Sequence, residues 1–156
     1  MSQALNTLLE HARRQRDEAL SALLQCEESV RRLREQGRQL QTYQQEYEAR
    51  DPARSGQVAQ MDSLLWHRAF MQRLLHAVQQ QQTQLDATEQ RLTELRNALL
   101  AHEIRVASVD KLLQRRDQLH QRRSVRAEQR LSDEAAARQR WRSPFEVEPD
   151  AAITQH

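Results

Sequence analysis

The side chains able to do chemistry are few in this chain, and their spacing does not gather them. The histidines are His11, His67, His76, His102, His120 and His156, and no two stand four apart, so no helical turn offers a pair of imidazoles to a metal. His102-Glu103 opens the pattern of a zinc-protease helix, but the second histidine that pattern needs is missing. The glycines are Gly37 and Gly56, too few and too far apart for a phosphate-cradling loop, which excludes nucleotide binding of the Walker or dinucleotide kind. The serines lack the strand-to-helix elbow that exposes a nucleophile. One cysteine, Cys26, cannot form an internal disulfide, and it sits in a line of apolar residues where it acts as a small hydrophobe. No catalytic residue, cofactor or metal is expected, and the chain reads as a binding protein rather than an enzyme.

The elements that position these residues are helices. Met71, Val78, Leu85, Leu92, Leu99, Val106 and Leu113 recur every seven residues, and Leu74, Gln81, Thr88, Leu95, His102 and Val109 form a second column that is polar in its middle. An earlier segment repeats the pattern, with Leu5, Ala12, Ala19, Cys26, Leu33, Leu40 and Tyr47 in one column and Leu9, Arg16, Leu23, Val30, Gly37 and Gln44 in the other. Each stripe needs a partner, and each can supply it to the other. Between them lies Arg50-Asp51-Pro52-Ala53-Arg54-Ser55-Gly56, where Pro52 and Gly56 end one helix and permit a reversal.

The fold class expected is all-α: a long antiparallel two-helix coiled-coil hairpin over residues 1–142, with helix 1 at about 4–49, a turn at 50–56 and helix 2 at about 60–140. Residues 143–156 hold two prolines and no periodicity, and a disordered tail is expected there. Folding back near residue 54 brings Leu5 to the neighbourhood of His102 or Glu103, leaving the rest of helix 2 as an overhang. Glycine inside a helix costs about 1 kcal/mol relative to alanine, so Gly37 marks a bend, a tight contact or a glycine merely tolerated beside the surface.

Composition agrees with extended helices. Hydrophobic residues make up 38% and aromatics 4% of 156 residues, poor material for a compact core with many turns. The net charge of +2 is unevenly spread: Arg105 to Arg142 holds eleven Lys or Arg against five Asp or Glu, so the overhang is basic and the remainder acidic. No apolar run approaches the roughly 20 residues that span a bilayer, and no signal-like apolar stretch opens the chain. A cytoplasmic location is expected.

Near the turn the apolar band widens. Tyr43 and Phe70 fall at the g positions of their heptads, and in an antiparallel pair the two g edges run side by side, so both rings share a surface with Leu40, Tyr47 and Leu74. A two-helix hairpin has no third layer to cover them, and an exposed apolar patch with a polar border marks a partner surface.

The run Leu40 to Tyr47, the Trp66 to Phe70 segment with Leu74 and Ala77, and the stretch from Leu112 through Arg115-Arg116 to Arg126, Arg130 and Arg138 together resemble the FliJ family of flagellar type III export proteins, over about residues 1 to 140. The resemblance implies a hairpin like the central stalk of rotary ATP synthases, without enzymatic activity. It also implies three kinds of partner: the hexameric flagellar export ATPase, the cytoplasmic domain of the export gate protein, and flagellar export chaperones that the protein helps to deliver or recycle. Attachment to the inner-membrane export apparatus is expected only through these partners. Carried over residue by residue, the gate-contact surface falls on Gln36, Leu40, Tyr43 and Tyr47 of helix 1 and Phe70, Leu74 and Ala77 of helix 2. Gln81 stands where such proteins can carry a histidine; it keeps hydrogen bonding and loses a titratable switch. The family's ATPase contact uses the end away from the turn, where Arg115, Arg116, Arg122 and Arg123 are the candidates.

Two rivals come from other classes. A nucleic-acid binder would lay the basic overhang along phosphates, but Asp110, Asp117, Glu128, Asp133 and Glu134 interleave with the arginines, and no nucleic acid is expected. A parallel homodimer of single long helices is opposed by Pro52 and Gly56.

Overall fold

A computed structural model describes residues 2–52 and 60–142. They form two helices, α1 at Ser2–Ala49 and α2 at Met61–Arg142, and no strand occurs among the described residues. The expected turn residues 53–56 and the expected tail 143–156 lie outside the described residues.

Both helices are built from strong helix formers, chiefly Gln, Arg, Leu, Ala and Glu, with no proline between their ends. Pro52 disfavours helical geometry at Asp51, and α1 closes over Arg50 and Asp51, whose amides donate to the Glu46 and Glu48 carbonyls at 3.2 Å. The carbonyl of Gln60 receives the amides of Ser63 at 3.0 Å and Leu64 at 3.3 Å and so opens α2. Asp62 in its first turn and Arg140 and Arg142 in its last match the helix dipole at each end.

The two helices lie along one another as a hairpin. Rising along α1 through Cys26, Leu33 and Tyr47, the facing residues on α2 fall from Thr88 to Gln81 to Phe70. Every residue of the four heptad columns is buried or half-buried. Leu23, Cys26, Val30 and Leu92 pack together as a buried cluster, flanked by Leu85, Leu95 and Leu99. Burying such a side chain stabilises the pair by about 1.5 to 3 kcal/mol, and this packing sustains helices too long to be secured by propensity alone. The seam's polar middle is satisfied: the Thr88 hydroxyl donates to the Gln84 carbonyl at 2.7 Å, and the Gln81 amide donates across the seam to the Leu33 carbonyl.

The reach of α1 differs from the expectation. Val109 is buried and Leu113 half-buried, and among the described residues α1 is the only other helix, so its first turns lie beside Val109 to Leu113 rather than His102 or Glu103. The reversal is centred later than residue 54: Cys26 faces Thr88 and Tyr47 faces Phe70, pairings whose midpoints fall past residue 56. Every residue from 117 to 142 is exposed. This overhang is about 40 Å long at 1.5 Å per residue. The chain exposes 13731 Å², where a compact chain of 18.4 kDa would expose about 8,200 Å²; the molecule is a thin rod.

Candidate functional site

Beside the loop, four side chains stack across the two helices. The Tyr47 and Phe70 ring centroids are 4.6 Å apart with planes tilted by 51°. Trp66, one turn before Phe70, lies against its other side at 5.5 Å and 12°, the pairing that an i, i+4 spacing allows on a helix. The Arg50 guanidinium sits 5.7 Å from the Tyr47 centroid, within reach of a cation–π attraction. Each aromatic pair contributes about 0.5 to 1.5 kcal/mol beyond its buried area. The outer members stay in water: Tyr43 is 52% and Trp66 64% exposed. Leu65 and Met61 are also exposed, but they border a separate groove with Glu48 and Met71.

The gate residues expected from sequence divide by depth. Gln36 and Tyr43 are exposed, and Leu40, Tyr47, Phe70 and Ala77 are half-buried along the border. Leu74 is buried in the seam, and Gln81 turns inward to the Leu33 carbonyl. Gly37 makes room for that turn, since a Cβ there would stand 2.9 Å from Gln81 Oε1; of the three readings of Gly37, the tight contact is the one seen. Trp66 and Arg50 were not among the candidates. The four-residue spacing from Trp66 to Phe70 was the available signal; nothing in the sequence pattern pointed to Arg50.

The two long sides of the hairpin differ in charge. On one, Arg34 meets Glu89 at 3.0 Å and Arg96 meets Glu27 at 3.8 Å across the helices. The other, which carries Tyr43 and Phe70, has no acid at its g positions between Leu8 and Tyr43 on α1 or between Phe70 and Leu112 on α2.

That acid-free side continues into the overhang. At about 100° per residue, Arg115, Arg116, Arg122, Arg123, Arg126 and Arg130 project within about 60° of Leu119, whereas Asp117 and Glu128 project about 160° or more away. Asp110, Asp117 and Glu128 are therefore separated in space from these arginines, whereas Asp133 and Glu134 share their face beyond Arg130. Arg116 is half-buried at the end of the seam; Arg115, Arg122 and Arg123 are exposed. Among the described residues no helix is long and apolar enough to cross a membrane, and no cluster of His, Cys, Asp or Glu forms a metal site.

A rod with one aromatic flank beside its reversal and one basic face at its far end is the setting in which the family comparison falls. The family described as flagellar FliJ protein matches residues 1–144. The chain belongs to that family. No curated protein and no solved structure matches. FliJ proteins are components of flagellar protein export rather than enzymes, and membership gives this chain an export-related role. The matched residues take in both helices, and with them the aromatic flank and the basic face.

Proposed function

We propose that this chain is the stalk of the flagellar type III export apparatus: an antiparallel coiled coil whose far end binds the hexameric export ATPase and whose loop-side flank contacts the cytoplasmic domain of the export gate protein. In this role it assists the escort of flagellar export chaperones. The observation that carries the reading is the aromatic flank, where Tyr43 and Trp66 stand in water beside the Tyr47–Phe70 stack. Large exposed rings on a rigid base are the usual anchors of a protein interface, and the base here is two packed helices.

At the far end, the paired helices form a rod about 20 Å across that continues as a single helix about 10 Å across, a shape that suits the centre of a ring, and the arginines there suit acidic loops through a salt-sensitive attraction. The two contacts lie at opposite ends of the hairpin, so one chain can hold both partners at once. Calorimetry of the full chain with the purified gate domain, paired with ATPase rates measured with and without the chain, tests the reading. Gate binding and a raised ATPase rate are expected. Binding to neither partner would overturn it.

A further inference from the structure

The basic face of the overhang also carries apolar side chains. Leu112 and Leu119 lie along its centre line, 51% and 53% exposed, and Trp141 projects about 40° from Leu119 at 100° per residue and is 76% exposed. The opposite face holds Gln114, Gln121 and Ser124 together with Asp117 and Glu128. From Leu112 to Arg130, about 27 Å of helix, one side is Leu and Arg, and the other is mostly amide, hydroxyl and carboxylate, with the exposed Val125 about 120° from Leu119. Asp133 and Glu134 interrupt the face before Trp141, which leaves the tryptophan as an outlying anchor. Among the described residues Arg122, Arg123, Arg126 and Arg130 make no ion pair.

Three anionic surfaces could meet such a face. A nucleic-acid duplex would engage the arginines but would offer little to Leu112, Leu119 and Trp141. An acidic protein groove could engage both kinds of side chain, yet it would need carboxylates placed on either side of a matching apolar furrow. An anionic bilayer supplies both everywhere: headgroup phosphates for arginines, and an interfacial layer where leucine and tryptophan bury their apolar parts. We propose that residues 112–141 bind directly to an anionic lipid bilayer, the helix lying in the plane of the surface with Leu119 and Trp141 turned into it. This goes beyond the stalk reading and does not rest on it. It gives the chain a membrane contact of its own where the sequence led us to expect contact through partners only.

The test uses the full chain and vesicles alone. With Trp66→Phe, Trp141 is the remaining tryptophan of the two in the sequence and reports on its own surroundings. Adding vesicles containing about one-third phosphatidylglycerol should shift its emission to the blue and sediment the protein; vesicles of phosphatidylcholine, and inorganic phosphate, should do neither. Each arginine near an anionic surface changes partitioning about fivefold, so the triple variant R123E/R126E/R130E should lose about a hundredfold or more. Its circular dichroism should be unchanged, because these side chains pack against nothing. The same three residues changed to Lys should retain binding. No shift with anionic vesicles, equal binding to neutral ones, or an undiminished triple Glu variant would each overturn the proposal. Saturable binding to a short DNA duplex or to polyglutamate with no vesicle binding would overturn it too, in favour of a nucleic-acid or protein ligand.

Discussion

Gln81 occupies the space that Gly37 leaves open. The glutamine amide donates to the Leu33 carbonyl one turn back along α1, and a Cβ at position 37 would come within 2.9 Å of its oxygen. A polar side chain thus crosses the seam without leaving its donor unsatisfied.

This pairing makes the two positions energetically dependent. Gly37→Ala gains about 0.5 to 1 kcal/mol of helix propensity but displaces the glutamine tip, which forfeits a hydrogen bond worth about 1 kcal/mol. A nearly unchanged melting temperature is expected for that variant alone. In a Gln81→Ala background the clash is gone, and Gly37→Ala should then stabilise by about 1 kcal/mol. Additive effects in the double-mutant cycle, followed by urea denaturation, would mean that the two residues do not interact.

At the aromatic flank, exposure separates binding from folding. Tyr43→Ala with Trp66→Ala removes two largely exposed rings and should shift the melt by only a few degrees, the cost being mainly the Trp66 stack on Phe70. If each ring is an anchor worth about 2 kcal/mol, affinity for the gate domain falls roughly a thousandfold. Phe70→Ala is a different case, because Phe70 stacks on both Tyr47 and Trp66; it should lower stability by about 2 to 4 kcal/mol. Wild-type gate affinity in a folded Tyr43, Trp66 double variant would remove this flank from the interface.

The far end should engage its ATPase partner from one side. Arg122→Glu with Arg123→Glu reverses the basic face and should diminish ATPase stimulation, most clearly at low ionic strength. Asp117→Lys with Glu128→Lys alters the opposite face by a comparable amount of charge and should leave stimulation intact. Equal effects from the two pairs would mean that net charge, and not its placement around the helix, governs the contact.

The register is open to direct measurement. Ser29 and Gln84 border one groove between the helices, so spin labels at these positions should lie within about 20 Å of each other. Moving the second label to Gln72 adds about 18 Å along the helix, at 1.5 Å per residue. A shorter distance to Gln72 than to Gln84 would contradict the observed pairing.

The heptad columns were legible in the sequence because seven-residue spacing and apolar character are local properties, and each column residue is indeed buried or half-buried. Register was not legible. Sliding one helix past the other by a heptad still matches leucines to leucines, and the expected pairing was displaced by about that much. What distinguishes the alternatives is particular and non-local: Gln81 against Gly37, Arg34 against Glu89, Glu27 against Arg96. The aromatic flank was found from its g positions, but Leu74 and Gln81 were grouped with it although both point into the seam. Trp66 was passed over as a candidate, lying at an outer heptad position. The basic overhang was read as a sum of charges along the chain, which hides how those charges divide around the helix.

The complete exposure of residues 117–142 bears on how this part of the molecule holds its shape. Among the described residues no second helix packs along it, and a lone helix of this length in water sits close to its own coil transition. Amide exchange should therefore be slowest around Leu23 to Leu33 and Leu85 to Leu99, and should quicken toward Arg142 without a sharp boundary. Heating should fray this arm before the paired helices separate. Any surface that captures the arm would then announce itself as newly slowed exchange there, whatever that surface is made of.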